Sequence, residues 1–151
     1  MGAAFFYHLT ERPLEATLPV LLGKALQAGW RIEVRGTDAT SIDRLDTQLW
    51  LGDGFLPHGK AGGPHDAAQP VLLTTGKGGN AATCVMSVDG AEVSAEEVTA
   101  MERVCILFSA ADPAAVETAR AQWRTLTEAG VAAQYWAEDG GRWVKKAESA
   151  A

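Results

Sequence analysis

An α/β fold on a mostly parallel sheet is what this sequence predicts, and three features predict it. Short, largely apolar runs at residues 3–9, 71–75 and 104–108 have the length of strands, the first with the composition of a strand buried on both faces and the last the most apolar of all. Between the strand candidates lie stretches whose apolar residues recur at helical spacing, and the order strand, helix, strand, helix calls for parallel pairing. Helix starts are also written into the chain, with Ser94 three residues before Glu97 and Asp112 directly before Pro113. Helices on both faces of such a sheet make three layers, in the Rossmann-like manner. At 151 residues the chain can bury roughly 70% of its unfolded surface as one domain. That domain is expected over residues 1–146, with 147–151 as a frayed tail.

Taken in order, Ala3 to Leu9 carries Phe5, Phe6 and Tyr7 and reads as the first strand, with His8 near its carboxyl end. A bond from His8 to a nearby backbone group is the expectation there. Pro13 opens a helix whose stripe is Leu14, Leu18, Leu21, Leu22 and Ala25, ended by Gly29, and Pro19 is placed to kink or delay it. Trp30, Ile32 and Val34 alternate with Arg31, Glu33 and Arg35, which suggests a strand near an edge. Asp38 or Thr40 caps a second helix that runs to Trp50. Residues 59–69 read as an exposed loop, 71–75 and 83–88 as strands, and 94–102 as a short helix. The most apolar run, 104–108, reads as a central strand with a buried, inert Cys105. The last helix begins at Asp112-Pro113 and ends at Gly130. Residues 132–136 and 142–145 then form a strand pair around Asp139-Gly140-Gly141.

Composition narrows the function. The net charge of −6 argues against a general nucleic-acid surface, which needs an excess of Lys and Arg to neutralise phosphate. The T-G-K-G-G-N segment at Thr75 is not a phosphate loop, because Lys77 is followed by Gly78 instead of a hydroxyl residue and position 71 is Val. Cys84 and Cys105 form no C-x-x-C. No H-E-x-x-H, G-x-S-x-G or G-x-G-x-x-G occurs, and the three histidines are scattered. His58 and His65 are two ligands at most, too few for a metal. No cofactor and no metal are expected. No apolar run reaches the length of a membrane span and no signal-like start is seen, so a soluble cytoplasmic protein is the expectation.

Two stretches carry the functional argument. In Arg44 to His58, Ile42, Leu45 and Leu49 mark the buried face of the second helix, and Trp50 falls about 100° from Leu49, at the margin of that face. Gly52, Asp53 and Gly54 then stop the helix. Phe55, Leu56 and Pro57 follow in a segment too short to bury itself. Trp50 and Phe55 around a glycine turn closed by Pro57 and His58 make a patch offered to a partner; the alternative is that both rings fold back over the sheet edge.

The other stretch is the last helix, with a stripe of Ala115, Ala119, Leu126 and Ala129 and with Val116 and Trp123 at one margin. At about 100° per residue, Arg120 falls roughly 60° beyond Trp123 and Arg124 about 40° beyond that. An apolar face, then an indole, then two guanidinium groups suits a ligand with an apolar end and a carboxylate. The alternative makes Trp123 a core residue and the arginines solvated partners of Glu117 and Glu128, which have helical-neighbour spacing.

The pattern R-L-D-x-x-L-W followed by F-x-P-H (Arg44, Leu45, Asp46, Leu49, Trp50, Phe55, Pro57 and His58) resembles the chi subunit of bacterial DNA polymerase III holoenzyme. The F-F-Y strand and the R-x-x-W of the last helix are similar too, while the spacer Leu51 to Gly54 is shorter than in better-known members. The resemblance implies a non-catalytic accessory subunit of the clamp-loader complex that binds the acidic, Phe-ending carboxyl tail of single-stranded-DNA-binding protein. It assigns tail binding to Arg120, Trp123 and Arg124, with Val116 as a floor. Trp50, Phe55, Pro57 and His58 would face the psi subunit of the clamp loader or a helicase-like protein. The rival reading is a small Rossmann-like nucleotide-binding enzyme using the carboxyl ends of its strands near His8, Gly36 and Thr75. Direct binding of single-stranded DNA would need aromatics along a basic groove, against the acidic balance.

Overall fold

A computed structural model describes residues 2–52, 56–76 and 78–149. The chain runs β1 (Ala4–Leu9), α1 (Leu14–Gln27), β2 (Ile32–Arg35), α2 (Ala39–Leu51), β3 (Gly59–Lys60), β4 (Val71–Thr74) and β5 (Cys84–Ser87). It continues through α3 (Ala95–Ala100), β6 (Arg103–Ser109), α4 (Pro113–Glu128), β7 (Ala133–Asp139) and β8 (Arg142–Ser149). The strands form one eight-stranded sheet in the order β3-β4-β2-β5-β6-β1-β7-β8. All pairings are parallel except the antiparallel one between β7 and β8.

The strands read as continuous apolar runs because successive side chains enter different cores. Tyr7, Val34, Leu73, Met86 and Leu107 join Leu18 and Leu22 of α1 and Ile42, Leu45 and Leu49 of α2 on one face. Ala4, Phe6, Val85, Ile106 and Phe108 join Val98 of α3 and Ala119 and Leu126 of α4 on the other. The fold is thus a three-layer, Rossmann-like α/β arrangement. Caps anticipated from sequence are in place: Asp38 accepts from the Thr40 N–H, Ser94 and Glu97 form a reciprocal capping box, and Asp112 accepts from Ala114 and Ala115. Pro19 lies inside α1 without delaying its start at Leu14. Cys84 and Cys105 are buried and unlinked, and the Cys105 thiol is pushed up by its hydrogen bond with Cys84 and by burial.

Four expectations need correction. β2 is an interior strand between β4 and β5, and all four of its residues are buried. Its charged residues satisfy each other: Arg35 Nε donates to Glu33 at 2.6 Å and Arg35 also grips Glu97 of α3 at 2.7 Å, while Glu33 accepts the Gly78 N–H at 2.9 Å. Residues 59–69 are not wholly loop, since β3 adds to β4 and Asp66–Ala68 makes a 3₁₀ turn. Order does not stop at residue 146: β8 pairs with β7 through Ser149. Finally, His8 bonds a side chain, the Tyr135 hydroxyl, in place of a backbone group.

The β7–β8 hairpin is pinned at its tip. Gly140 and Gly141 both have positive φ, +60° and +78°, which a two-residue turn of this twist requires. Their N–H groups donate to the Glu11 carboxylate at 3.0 and 2.8 Å. Glu138 in turn accepts from the Glu11 and Arg12 N–H groups and pairs with Arg12 Nε at 2.9 Å. The β1–α1 loop therefore fixes the hairpin that borders α4.

Candidate functional site

α4 owes its pitch and register to Asp112 and Pro113 at its start and to Ala119, Gln122 and Leu126, which are buried against the sheet. Trp123 is neither wholly core nor wholly surface. Its half-buried ring meets Phe6 edge-on, with centroids 5.3 Å apart, and Tyr135 of β7 at 6.0 Å. Arg120 and Arg124 are exposed one step further around the helix, in the angular order read from the sequence. Arg120 reaches Glu117 at 3.3 Å, but both side chains are more than 60% exposed, so this pair is a weak competitor for a ligand. Arg124 has no ion pair among the described residues, so the contact with Glu128 that belongs to the alternative reading is not formed.

An open depression of about 470 Å³ lies between α4 and the hairpin, lined by Arg120, Trp123, Arg124, Tyr135, Lys146 and Ala147. Val116 is not part of the lining; it packs against the core beneath α4. The hairpin contributes what the sequence reading missed. A bulge between Tyr135 and Trp136 sets Tyr135 opposite Ala147 and Trp136 opposite Lys145, which leaves Lys146 as the extra residue. Among the described residues, three cations and no acid line this depression, on a chain of net charge −6.

Behind Tyr135 sits His8, with Nδ1 2.9 Å from the phenol oxygen and its ring stacked on Phe108 at 4.8 Å. Burial lowers the His8 pKa, and the positive charge of Arg120 lowers it further. Burial raises the Tyr135 pKa, with Arg120 opposing it. Both shifts register the guanidinium of Arg120 close to the phenol–imidazole pair. His8 Nε2 is buried without a hydrogen-bond partner among the described residues.

The second patch lies on the opposite face and toward the other end of the sheet, where α2 packs by β3 and β4. Trp50 is 55% exposed and Leu51 80%. Trp50 has not folded over the sheet edge; its ring rests on His58, with centroids 4.4 Å apart. His58 itself is buried, a correction to its expected place on the surface. Its Nδ1 is 2.8 Å from the Leu56 carbonyl oxygen and its Nε2 is 3.1 Å from the Asp46 carboxylate, so it ties the 56–58 segment to α2. Pro57 is half-buried, and Phe55 lies outside the described residues.

The residues of the nucleotide-binding reading are not brought together. Gly36 and Thr75 share a shallow depression of about 380 Å³, whereas His8 is on β1, beyond β5 and β6. Among the described residues no group of three or more His, Cys, Asp or Glu is placed to hold a metal ion. Also among them, no helix is long and apolar enough to cross a membrane.

These features define a three-layer α/β domain whose two candidate sites are exposed surfaces on opposite faces. The DNA polymerase III chi subunit family, HolC, matches residues 1–134, and the chain belongs to that family, an accessory subunit of the replication machinery. No curated protein matches the chain. The family match includes Arg120, Trp123 and Arg124 and ends inside β7, one residue before Tyr135.

Proposed function

We propose that this chi-family protein couples the clamp-loader complex of DNA polymerase III to single-stranded-DNA-binding protein, by holding that protein's acidic carboxyl tail between α4 and the β7–β8 hairpin. It performs no chemistry of its own and acts in the cytoplasm as a single domain. The observation that carries the reading is the depression in which Arg120, Arg124 and Lys146 surround the rings of Trp123 and Tyr135 without an intervening acid. An exposed arginine–carboxylate contact contributes about 0–1 kcal/mol, and burying a phenylalanine ring roughly 1.5–3 kcal/mol. Neither is enough alone, so the site fits a ligand that has both an acidic run and an aromatic end. The surface at Trp50 and Leu51, with Pro57 beside it and His58 behind it, serves a different partner, the psi subunit or a helicase-like protein, and Phe55 is assigned to the same interface from the sequence resemblance alone.

A thermal-shift titration tests the tail site. An acidic peptide ending in Asp-Ile-Pro-Phe is expected to raise the melting midpoint and a mononucleotide to leave it unchanged. High salt weakens the peptide effect, because the charges are exposed. Arg120→Ala removes most of it; an unchanged peptide affinity in that variant would contradict the assignment.

A further inference from the structure

The two arginines and Lys146 attract any carboxylate, including those of internal Asp and Glu residues, so charge alone does not make the site select a chain end. Resting on the tail-docking reading, we propose that the Tyr135 hydroxyl, oriented by His8, is the donor that recognises the ligand's terminal carboxylate and gives the site its preference for a free chain end.

The geometry supports this assignment from three sides. First, Tyr135 lines the depression beside Trp123, with ring centroids 6.0 Å apart. A ligand whose last residue lays an aromatic ring on the indole carries its α-carboxylate only a few bonds from that ring, within reach of this phenol. Second, the phenol stays protonated, since burial raises its pKa, so it has a hydrogen to donate. Third, that hydrogen is directed by the tautomer of His8. Burial keeps His8 neutral at pH 7, with one proton for two ring nitrogens. With the proton on Nε2, a buried N–H would lack any acceptor, and the Tyr135 O–H would be used up on Nδ1. With the proton on Nδ1, the imidazole donates to the phenol oxygen, and the Tyr135 O–H turns outward into the depression. Buried N–H groups are left unpaired less readily than acceptors, so the second arrangement is favoured, and an arriving carboxylate favours it further.

Tyr135 is the contacting residue here and His8 a positioning residue. Both belong to a part of the site that the arginine pattern on α4 does not reveal, and Tyr135 lies beyond the family match.

The test compares one acidic Phe-ending peptide with a free carboxylate against the same peptide with a carboxamide end. Affinities are measured by calorimetry for wild type, Tyr135→Phe, His8→Leu and His8→Asn. Wild type is expected to prefer the free acid by about tenfold, the size of one hydrogen bond to a charged group. Tyr135→Phe should lose most of that preference, keeping only the part that the three cations supply, while binding the amide as wild type does. His8→Leu should reduce the preference, and His8→Asn should restore it, because the carboxamide N–H can stand in for Nδ1–H. Equal weakening of both peptides in Tyr135→Phe, or an undiminished preference, would overturn the proposal and leave Tyr135 as packing only. Arg120→Ala separates this from the parent reading: if it binds the acid like wild type, or if wild type binds neither peptide, tail docking itself fails and the present proposal with it.

Discussion

Two tryptophans stand at helix margins in this domain, Trp123 on α4 and Trp50 at the end of α2, and they are built for different work. Trp123 is clamped by Phe6 and Tyr135 and surrounded by cations. Trp50 is more than half exposed, has the bare Leu51 as its neighbour and rests on a histidine that is held by Asp46. The first arrangement is preorganised and electrostatically one-signed, which suits a short charged segment that arrives without structure of its own. The second is an exposed apolar surface at the end of α2, suited to a partner that brings a complementary apolar surface. The two lie on opposite faces and toward opposite ends of one sheet, an arrangement that would let the proposed partners bind without interfering.

The contrast can be broken most directly through stability. Trp123→Ala should cost about 2–3 kcal/mol, less than a fully buried tryptophan because the ring is half-buried. Trp50→Ala should cost about 1 kcal/mol or less. Urea unfolding of the two variants measures both; comparable losses would mean that Trp50 is as much a part of the core as Trp123.

His8, behind Tyr135, adds a smaller effect that depends on pH. The folded-state pKa of His8 lies below its ordinary value of 6.5, so the unfolded chain binds the proton more readily. The stability tied to His8 is therefore complete above pH 6.5 and falls as the pH drops from there toward the folded-state pKa. His8→Leu should flatten this part of the pH–stability curve, and Arg120→Ala should flatten it slightly, since the Arg120 charge contributes to the shift. A curve unchanged in His8→Leu would show that the half-buried imidazole does not titrate in that range.

The strands and caps were legible because they depend on local pattern: apolar runs buried on two faces, and capping residues at fixed offsets. The interior place of β2 was not legible, because Glu33 and Arg35 look like surface charges until Glu97, on α3, is brought beside them. The α4 half of the proposed tail site could be read from the angular order of Trp123, Arg120 and Arg124, which needs only the helical repeat. The hairpin half could not. Which face of β7 carries Tyr135, and which residue of β8 sits opposite, is set by a bulge and by strand order. His58 was misplaced for a similar reason: its burial depends on Asp46, twelve residues earlier, and on the carbonyl of Leu56.

The central claim, that the acidic tail is held at α4 and the hairpin and not at α2, is tested most directly by following the indole N–H resonances during titration with the Phe-ending peptide. The account predicts that the Trp123 signal shifts progressively to saturation while the Trp50 signal stays in place. A Trp50 signal that moves while that of Trp123 does not would contradict it.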